Sequence, residues 1–308
     1  MQISSAGNNV FLAGRYRSRE NPMKKHLLSI IIIIMFIIGF SVLLYPAVSE
    51  YVNSKHASRV ISSYSDTIGD ASDDKLSHFF TEAEDYNKRL RSTSGAFYQP
   101  ELVEGYDSAL NITGTGIMGY IDIDKLGVEL PIYHGVSAEV LQIGIGHLPG
   151  TSLPVGGAST HCVVSGHRGL PSARLFTDLN KLEIGDRFTI TVLNRILTYE
   201  VDQIKVVLPT ETADLQIAEG KDYCSLITCT PYGINTHRLI VRGVRTDNDE
   251  TIKKVGITVK NEAFQISRFI TMPITAIPIL ILALILMFIH DRKGNTKKKA
   301  GDSHEEKT

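Results

Sequence analysis

The chain has few of the features that mark specialised classes of protein. Among its 308 residues there are only three cysteines, an odd number, and none is spaced as a metal ligand or as part of a disulfide framework. The formal net charge is −1, and the middle of the chain has no basic stripe with interleaved aromatic residues, which argues against a nucleic-acid-binding protein. No acidic cluster of the calcium-binding kind stands out, so we expect neither a metal nor a cofactor.

Two long apolar runs lie near the two ends of the chain. The first, residues 27–45, holds about 19 residues without a charge, close to the length that a helix needs to cross a membrane. A signal peptide is the alternative, but its apolar core is shorter and ends at a small-residue cleavage site. We therefore predict an uncleaved transmembrane helix over residues 26–46, and Lys24 and Lys25 place the segment 1–25 in the cytoplasm.

The second apolar run, residues 269–289, is followed at once by Arg292, Lys293 and further lysines. Positive charge next to a span marks its cytoplasmic end. The pattern predicts a second transmembrane helix at 268–290 and a cytoplasmic basic tail at 291–308. Both termini would then lie inside the cell, and everything between the two spans would lie outside it.

The segment after the first run, residues 47–105, is predicted to be helical up to residue 92 and then to form a loop. Apolar residues recur there at steps of three and four, as on one face of a helix. They are Leu76, Phe79, Phe80, Ala83, Tyr86 and Leu90. A polar break at 69–73 divides the segment into two helices, with Ser72 or Asp73 as the N-cap. We expect this stripe to pack on the main domain, which is a structural role.

From residue 112 onward the pattern changes to short β-branched runs separated by turns. The predicted strands are 117–123, 128–132, 162–165, 188–192, 197–201, 204–208 and the two strands on either side of Cys229. About eight short strands argue for a barrel or a sandwich rather than an α/β sheet. Short helices are predicted at 138–143 and 173–179.

A cysteine and an arginine lie at the facing ends of the last two predicted strands. Cys229 ends an apolar strand, a turn-forming stretch follows, and Arg238 begins the next strand. If the two strands pair, both side chains emerge at the same end of the sheet. Arg242 shares the strand parity of Arg238 but lies further from the thiol.

A histidine occupies a similar position upstream, because His167 follows the apolar strand that contains Cys162. A thiol, an imidazole and a guanidinium at strand ends suit cysteine acyl transfer, in which the thiolate attacks a carbonyl, the imidazole moves protons and the guanidinium stabilises the oxyanion. Arg168 is expected to fix the histidine loop by hydrogen bonds. Four other histidines in the domain are weaker candidates on their strand positions: His134, His147, His161 and His237.

Two blocks of sequence resemble the signatures of a known family. SGHRGLPSARLFTDL at 165–179 and LITCTPYGINTHRLIVRG at 226–243 are similar to the signature blocks of the class C sortases, the pilus-assembling cysteine transpeptidases of Gram-positive bacteria. The Leu-x-Thr-Cys core is common to sortases at large, whereas the Cys-Thr-Pro-Tyr-Gly continuation and the His-Arg-Gly-Leu-Pro-Ser block point to class C. The resemblance covers roughly residues 106–245.

This resemblance implies a mainly β fold, an eight-stranded sortase-type barrel with short helices over 106–247. The helical segment precedes it, a linker at 248–267 follows, and the two transmembrane helices flank the whole. It implies Cys229 as nucleophile, His167 as general acid and base, and Arg238 as the oxyanion-stabilising residue. Candidate substrate-binding residues are Ser165, Leu226 and Thr228.

Class C relatives usually carry a lid with an Asp-Pro-aromatic motif across the active site. This sequence lacks that motif before the barrel, and Phe97 or Tyr98 is the candidate lid residue in its place. Nor does an Asp or Asn stand in an obvious third position for a papain-like triad.

The resemblance implies a membrane-anchored enzyme that cleaves an LPxTG-like sorting signal of pilin subunits, forms a thioester on Cys229 and passes it to a lysine amine of another pilin. Two alternatives stay open. One is a housekeeping sortase that attaches surface proteins to the cell wall. The other is a non-catalytic, membrane-anchored platform that binds pilus subunits.

Overall fold

The computed structural model describes residues 22–248, and for 22–29 and 32 it describes the backbone alone. The helices are α1 (Pro22–Gly69), α2 (Asp73–Ser92) and α3 (Ala138–Ile143). The strands are β1 (Ile117–Ile123), β2 (Val128–His134), β3 (Ile145–His147), β4 (Thr160–Ser165), β5 (Arg187–Val192), β6 (Arg195–Val207), β7 (Asp222–Thr230) and β8 (His237–Thr246).

The eight strands close into a barrel in the order β1-β2-β3-β4-β7-β8-β6-β5, which confirms the predicted barrel. The pairs β2–β3 and β4–β7 are parallel, and every other pair is antiparallel. Side chains alternate between the interior and the outer surface along each strand. In the middle of β4, β7 and β8, the inward residues Val164, Leu226 and Val241 are fully buried.

The number of strands agrees with the sequence prediction, but two of its details are wrong. The runs predicted at 197–201 and 204–208 form the single strand β6, which continues through a register irregularity between Val201 and Gln203. The strand β3 escaped prediction because its three residues are too few to show alternation. Gly146 in β3 leaves no room for a side chain, since a Cβ there would lie 2.1 Å from the Gly135 carbonyl oxygen.

The helix predicted at 138–143 is confirmed as α3, with Ser137 as its N-cap, whereas the helix predicted at 173–179 is wrong. Residues 173–179 form turns instead, and only a short 3-10 turn follows at Leu179–Lys181. The physical reason is long-range bonding, because the Phe176 amide donates to the carbonyl of His167 rather than to a helical partner.

Helix α2 begins where the sequence predicts, with the Ser72 hydroxyl accepting a hydrogen bond from the Lys75 amide. Its apolar stripe packs on the barrel and joins the same buried core, while Phe79 of that stripe is only partly buried. A polar contact also fixes it, since the Asn87 amide donates to the Leu153 carbonyl and accepts from the Leu153 amide.

Among the described residues, helix α1 begins in one compact unit, which ends at Leu44, and continues into a second unit, which begins at Tyr45. Within the second unit, Tyr64 is buried and its hydroxyl joins β1 to the turn that follows β5. It donates to the Met118 carbonyl at 3.0 Å and accepts from the Leu193 amide at 2.7 Å. The helical segment predicted from the sequence is therefore a packed part of the domain.

Within residues 22–248, one helical stretch is long and apolar enough to cross a membrane, Ile33–Gly69, in which an 18-residue window has a mean hydropathy of 1.9. A membrane span and a signal sequence both satisfy that test. The second predicted span, 268–290, lies outside the described residues, as do the linker at 248–267 beyond Asn248 and the tail at 291–308.

We predict that Tyr64→Phe lowers the free energy of unfolding of the domain by about 1–3 kcal/mol, because it leaves two buried backbone groups without their partner. Tyr86→Phe is the matched control, since the Tyr86 hydroxyl is buried without a hydrogen-bond partner among the described residues. Chemical denaturation measures both. Equal costs for the two variants would contradict the role given to the Tyr64 hydroxyl.

Candidate active site

Cys229 lies one residue before the end of β7, on the outer face of the barrel. The alternation along β7 sets this orientation, because Leu226 belongs to the barrel core whereas Ile227 belongs to a separate outer apolar cluster. Cys229 shares the parity of Ile227 and is half-buried, whereas Cys162 and Cys224 are buried.

Arg238 is the direct register partner of Cys229 across the antiparallel pair β7–β8. Its guanidinium donates to the carbonyls of Asn235 and His237, at 3.2 and 3.0 Å, and therefore lies against the turn between the two strands. Among residues 22–248 no carboxylate forms an ion pair with it. Arg242, in contrast, is held by Asp202 through two hydrogen bonds of 3.0 and 2.8 Å.

His167 follows β4, which runs parallel to β7. Ser165 is the register partner of Ile227, and the pairing continues one step further because the Gly166 amide donates to the Ile227 carbonyl at 3.1 Å. His167 and Cys229 each lie two residues beyond the Ser165–Ile227 pair, at the ends of two neighbouring strands. The fold thus brings the three predicted catalytic residues to one rim of the barrel.

Hydrogen bonds fix the loop that carries His167. The Arg168 guanidinium donates to the Thr230 hydroxyl at 2.8 Å and to the Asn180 side-chain oxygen at 2.9 Å. The Gly169 amide donates to the Thr177 hydroxyl at 3.1 Å. Arg168 therefore joins the histidine loop to the end of β7, which agrees with the loop-fixing role expected of it.

The three predicted substrate-binding residues differ in where their side chains lie. Ser165 shares the outer face with Ile227, its register partner, and is half-buried. Leu226 is fully buried in the core, and the buried Thr228 hydroxyl donates to the Gly166 carbonyl at 2.7 Å. Both side chains are buried and hold the strand end and the histidine loop, and the substrate-binding role expected of Leu226 and Thr228 stays a prediction.

The other histidines have partners in the fold. His147, in β3, is fully buried and hydrogen-bonds the Tyr106 hydroxyl and the Ser152 carbonyl. His134 contacts the carbonyls of Gly116 and Ala109. The Tyr106 hydroxyl also accepts a hydrogen bond from the Gly135 amide. It therefore links its own segment to β3 and to the residue that follows β2, and sequence spacing does not reveal these contacts.

His161, in β4, is also buried. It hydrogen-bonds the Gln216 carbonyl at 3.0 Å and the Ser225 hydroxyl at 2.8 Å, and burial lowers the pKa of its imidazole. Its place near the start of β4 separates it from the rim that carries Cys229.

The candidate lid residue Phe97 packs on the outer apolar cluster formed by Val163, Leu215, Ile227 and Ile240. Ile227 precedes Cys229 by two residues, or about 7 Å along the strand. Tyr98 is 72% exposed, and its hydroxyl lies 2.9 Å from that of Thr212. Gly150 lies against the Phe97 backbone, since a Cβ there would come within 2.7 Å of the Phe97 carbonyl oxygen.

A cavity of 590 Å³ lies beside this cluster, between the end of α2, the Phe97 segment and the loop from β6 to β7. Phe97 and Leu215 form part of its wall, and none of Cys229, His167 and Arg238 lines it. The cavity is therefore distinct from the rim that carries the three candidate catalytic residues.

Cys162 and Cys224 are register partners in the barrel core and face the interior. Burial raises the pKa of the Cys224 thiol well above its usual value. Within residues 22–248 no group of three or more His, Cys, Asp or Glu side chains is placed to hold a metal ion.

Comparison with known proteins identifies the family. The model of the Sortase domain matches residues 121–246. A solved structure of sortase C1 from Streptococcus agalactiae is 49% identical with a TM-score of 0.57, and the match covers 62% of this chain and 100% of that one. The chain therefore belongs to the sortase family of cysteine transpeptidases, and its structural matches include class C members.

Two further class C structures match this chain with similar TM-scores. Sortase C from Streptococcus pneumoniae is 37% identical with a TM-score of 0.55, covering 62% of this chain and 97% of that one. Sortase C from Clostridium perfringens, solved with a C-terminal cell wall sorting motif, is 42% identical with a TM-score of 0.54, covering 62% of this chain and 99% of that one.

We predict that iodoacetamide modifies Cys229 of the native protein at least about 100-fold faster than Cys162 or Cys224, because Cys229 is half-buried whereas the other two thiols are buried out of reach of the reagent. Peptide mass mapping identifies the modified residue. Unfolding should expose all three, and Cys229→Ala should leave the native protein unmodified. Comparable native modification of Cys162 would contradict the assignment.

Proposed function

We propose that the chain is a membrane-anchored transpeptidase that cleaves an LPxTG-like sorting signal of pilin subunits and joins the pilin to a lysine of the next one. Cys229 is the nucleophile, His167 the general acid and base, and Arg238 the residue that stabilises the oxyanion. The observation that carries this proposal is the register. It pairs Cys229 with Arg238 and continues β4 toward His167 beside them.

The chemistry follows from the three groups. The Cys229 thiolate attacks the carbonyl carbon of the scissile amide, and the tetrahedral oxyanion develops beside the Arg238 guanidinium. The C–N bond then breaks, and the His167 imidazolium gives its proton to the leaving amine. A second amine attacks the thioester, loses its proton to His167 and forms a new amide as the C–S bond breaks.

The substrate class rests on two supports. The Cys-Thr-Pro-Tyr-Gly block at 229–233 is the feature that points to pilin polymerisation rather than to general cell-wall attachment. Among the matching structures, the one from Streptococcus pneumoniae is described in terms of pilin substrate specificity, and the one from Clostridium perfringens holds a cell wall sorting motif. The partners proposed for this chain are therefore pilins with such a signal.

The location proposed for the enzyme is the cell membrane, with the barrel outside. The apolar run in α1 supports an N-terminal anchor, and the sequence at 269–289 with its basic tail supports a second span. Two anchors hold the enzyme where exported subunits emerge, which suits assembly of a surface fibre.

A lid role for Phe97 belongs to the same proposal. Its ring covers apolar residues on the three strands that lead to the rim, and the neighbouring Tyr98 ring packs edge-on against it at 5.0 Å. An apolar side chain of the sorting signal could take the place of the Phe97 ring, and the segment from residue 93 would then move outward.

The first test is a pilin polymerisation assay with the full chain in cells. Cys229→Ala should abolish the high-mass pilin ladder, and Arg238→Ala should reduce transpeptidation about 10²–10³-fold, as loss of an oxyanion donor does elsewhere. Arg242→Ala, on the same face but ion-paired with Asp202, is the matched control and should keep most activity.

The same assay separates the alternatives. A ladder that persists in Cys229→Ala would end the catalytic proposal and favour a binding platform. Loss of wall attachment without any ladder in the parent strain would favour a housekeeping sortase. Mass spectrometry of the acyl-enzyme would identify the cleaved bond directly.

The lid proposal predicts that Phe97→Ala raises the rate of Cys229 alkylation and of peptide cleavage about 2–10-fold, because a closed state loses its apolar contact. Leu102→Ala is the control, since Leu102 is an exposed apolar residue in the same connecting segment. Stopped-flow or quenched alkylation measures the rate. An unchanged rate in Phe97→Ala would leave Phe97 as ordinary packing.

A further inference from the structure

Two polar side chains of α1 bind the backbone of the loop that carries His167. The Asn53 amide donates to the Ser172 carbonyl at 2.6 Å, and the Arg174 amide donates to a Glu50 carboxylate oxygen. Glu50 and Asn53 lie three residues apart, so they project from the same face of the helix. Together they hold the backbone on both sides of Ala173.

The bound segment is connected to His167 by short steps. Its next residues turn back toward the histidine, where the Phe176 amide donates to the His167 carbonyl at 3.1 Å. The Thr177 hydroxyl accepts the Gly169 amide in the same region. Residues 172–177 therefore support the histidine from one side, and α1 supports residues 172–174 from the other.

The rest of the loop that carries His167 has no regular secondary structure to hold its backbone. It has neither helix nor strand between Ser165 and Leu179, so its backbone groups are fixed one at a time. The Ser172 carbonyl and the Arg174 amide take their partners from α1, and loss of those partners would return the segment to solvent and to a wider range of conformations.

We infer that Glu50 and Asn53 are positioning residues for His167, so that the helix which carries the N-terminal apolar run also sets the geometry of the general acid and base. This inference rests on the proposed function, in which His167 transfers protons. The two side chains act through the loop and do not touch the reacting atoms. A similar loop that lost this helix would keep Cys229 and Arg238 in place but would hold the imidazole less well.

The register explains why only one of the three groups needs this support. Cys229 and Arg238 lie within paired strands, where the ladder fixes their backbones. His167 lies beyond the end of β4, where the ladder with β7 has stopped. The histidine is therefore the group whose position depends on contacts outside the sheet.

The experiment uses the full chain in detergent or nanodiscs and two readouts. One is the steady-state cleavage of a sorting-signal peptide, and the other is the pH dependence of Cys229 alkylation by iodoacetamide, followed by peptide mapping. The alkylation rate depends on the thiolate fraction, which a nearby imidazole influences. The variants are Glu50→Ala, Asn53→Ala, their combination and the conservative Glu50→Gln.

We expect the double variant to lose about tenfold in kcat with KM nearly unchanged, the amount that one or two hydrogen bonds supply. Its alkylation profile should shift along the pH axis relative to that of the parent chain. Glu50→Gln should recover most of the loss seen in Glu50→Ala, because its amide oxygen still accepts the Arg174 amide. Ser54→Ala and Ser58→Ala, on exposed positions of the same helix, should match the parent in both readouts.

The inference is overturned if the double variant has the kcat and alkylation profile of the parent, or if the two serine controls change as much as it does. If the double variant fails to show a cooperative thermal transition, the comparison of Glu50→Ala with Glu50→Gln decides by the same criteria. If the parent cleaves no sorting peptide, the substrate proposal fails, and the alkylation profile still decides the role of Glu50 and Asn53.

Discussion

The parallel pairing of β4 with β7 is the constraint on which the site depends. It aligns Ser165 with Ile227, so that the two chains leave the sheet at the same level and their next residues include His167 and Cys229. The antiparallel partner β8 then adds Arg238 opposite the cysteine. A slip of one residue in either pair would turn a reactive side chain into the core, because side chains alternate across a sheet. The register of the barrel strands therefore also sets the relative positions of the three candidate catalytic groups.

The two faces of these strands have different roles, because one fills the barrel and the other forms the surface beside the thiol. Inward residues such as Val164, Leu226 and Val241 fill the barrel, and the outward residues between them form an apolar floor that ends at the thiol. Thr228 belongs to the inner set, yet its hydroxyl binds the Gly166 carbonyl and so joins the core to the histidine loop. The interior thus stabilises the fold and fixes the position of groups that lie outside it.

The strand pattern predicted a barrel or a sandwich, the break between α1 and α2 and the convergence of Cys229 with Arg238, because those depend on local periodicity and on turns between neighbouring strands. The resemblance to sortases was needed to choose the closed barrel. The sequence did not predict β3, which is too short to show alternation, or the turns at 173–179, where the Phe176 amide bonds a residue nine positions earlier. Nor did it predict that Leu226 and Thr228 are buried, since motif position does not reveal which face of a strand a side chain takes. Long-range contacts such as those of Asn53 leave no periodic signal at all.

The close approach of Gly150 to the Phe97 backbone limits which residues this position accepts. Gly150 adopts a φ of +84°, and a Cβ there would lie 2.7 and 2.8 Å from two successive carbonyl oxygens, so any side chain would act as a wedge under the segment that holds the aromatic ring. If Phe97 acts as the proposed lid, one substitution at this glycine, remote from the sulfur, would displace it without any alteration to Cys229, His167 or Arg238.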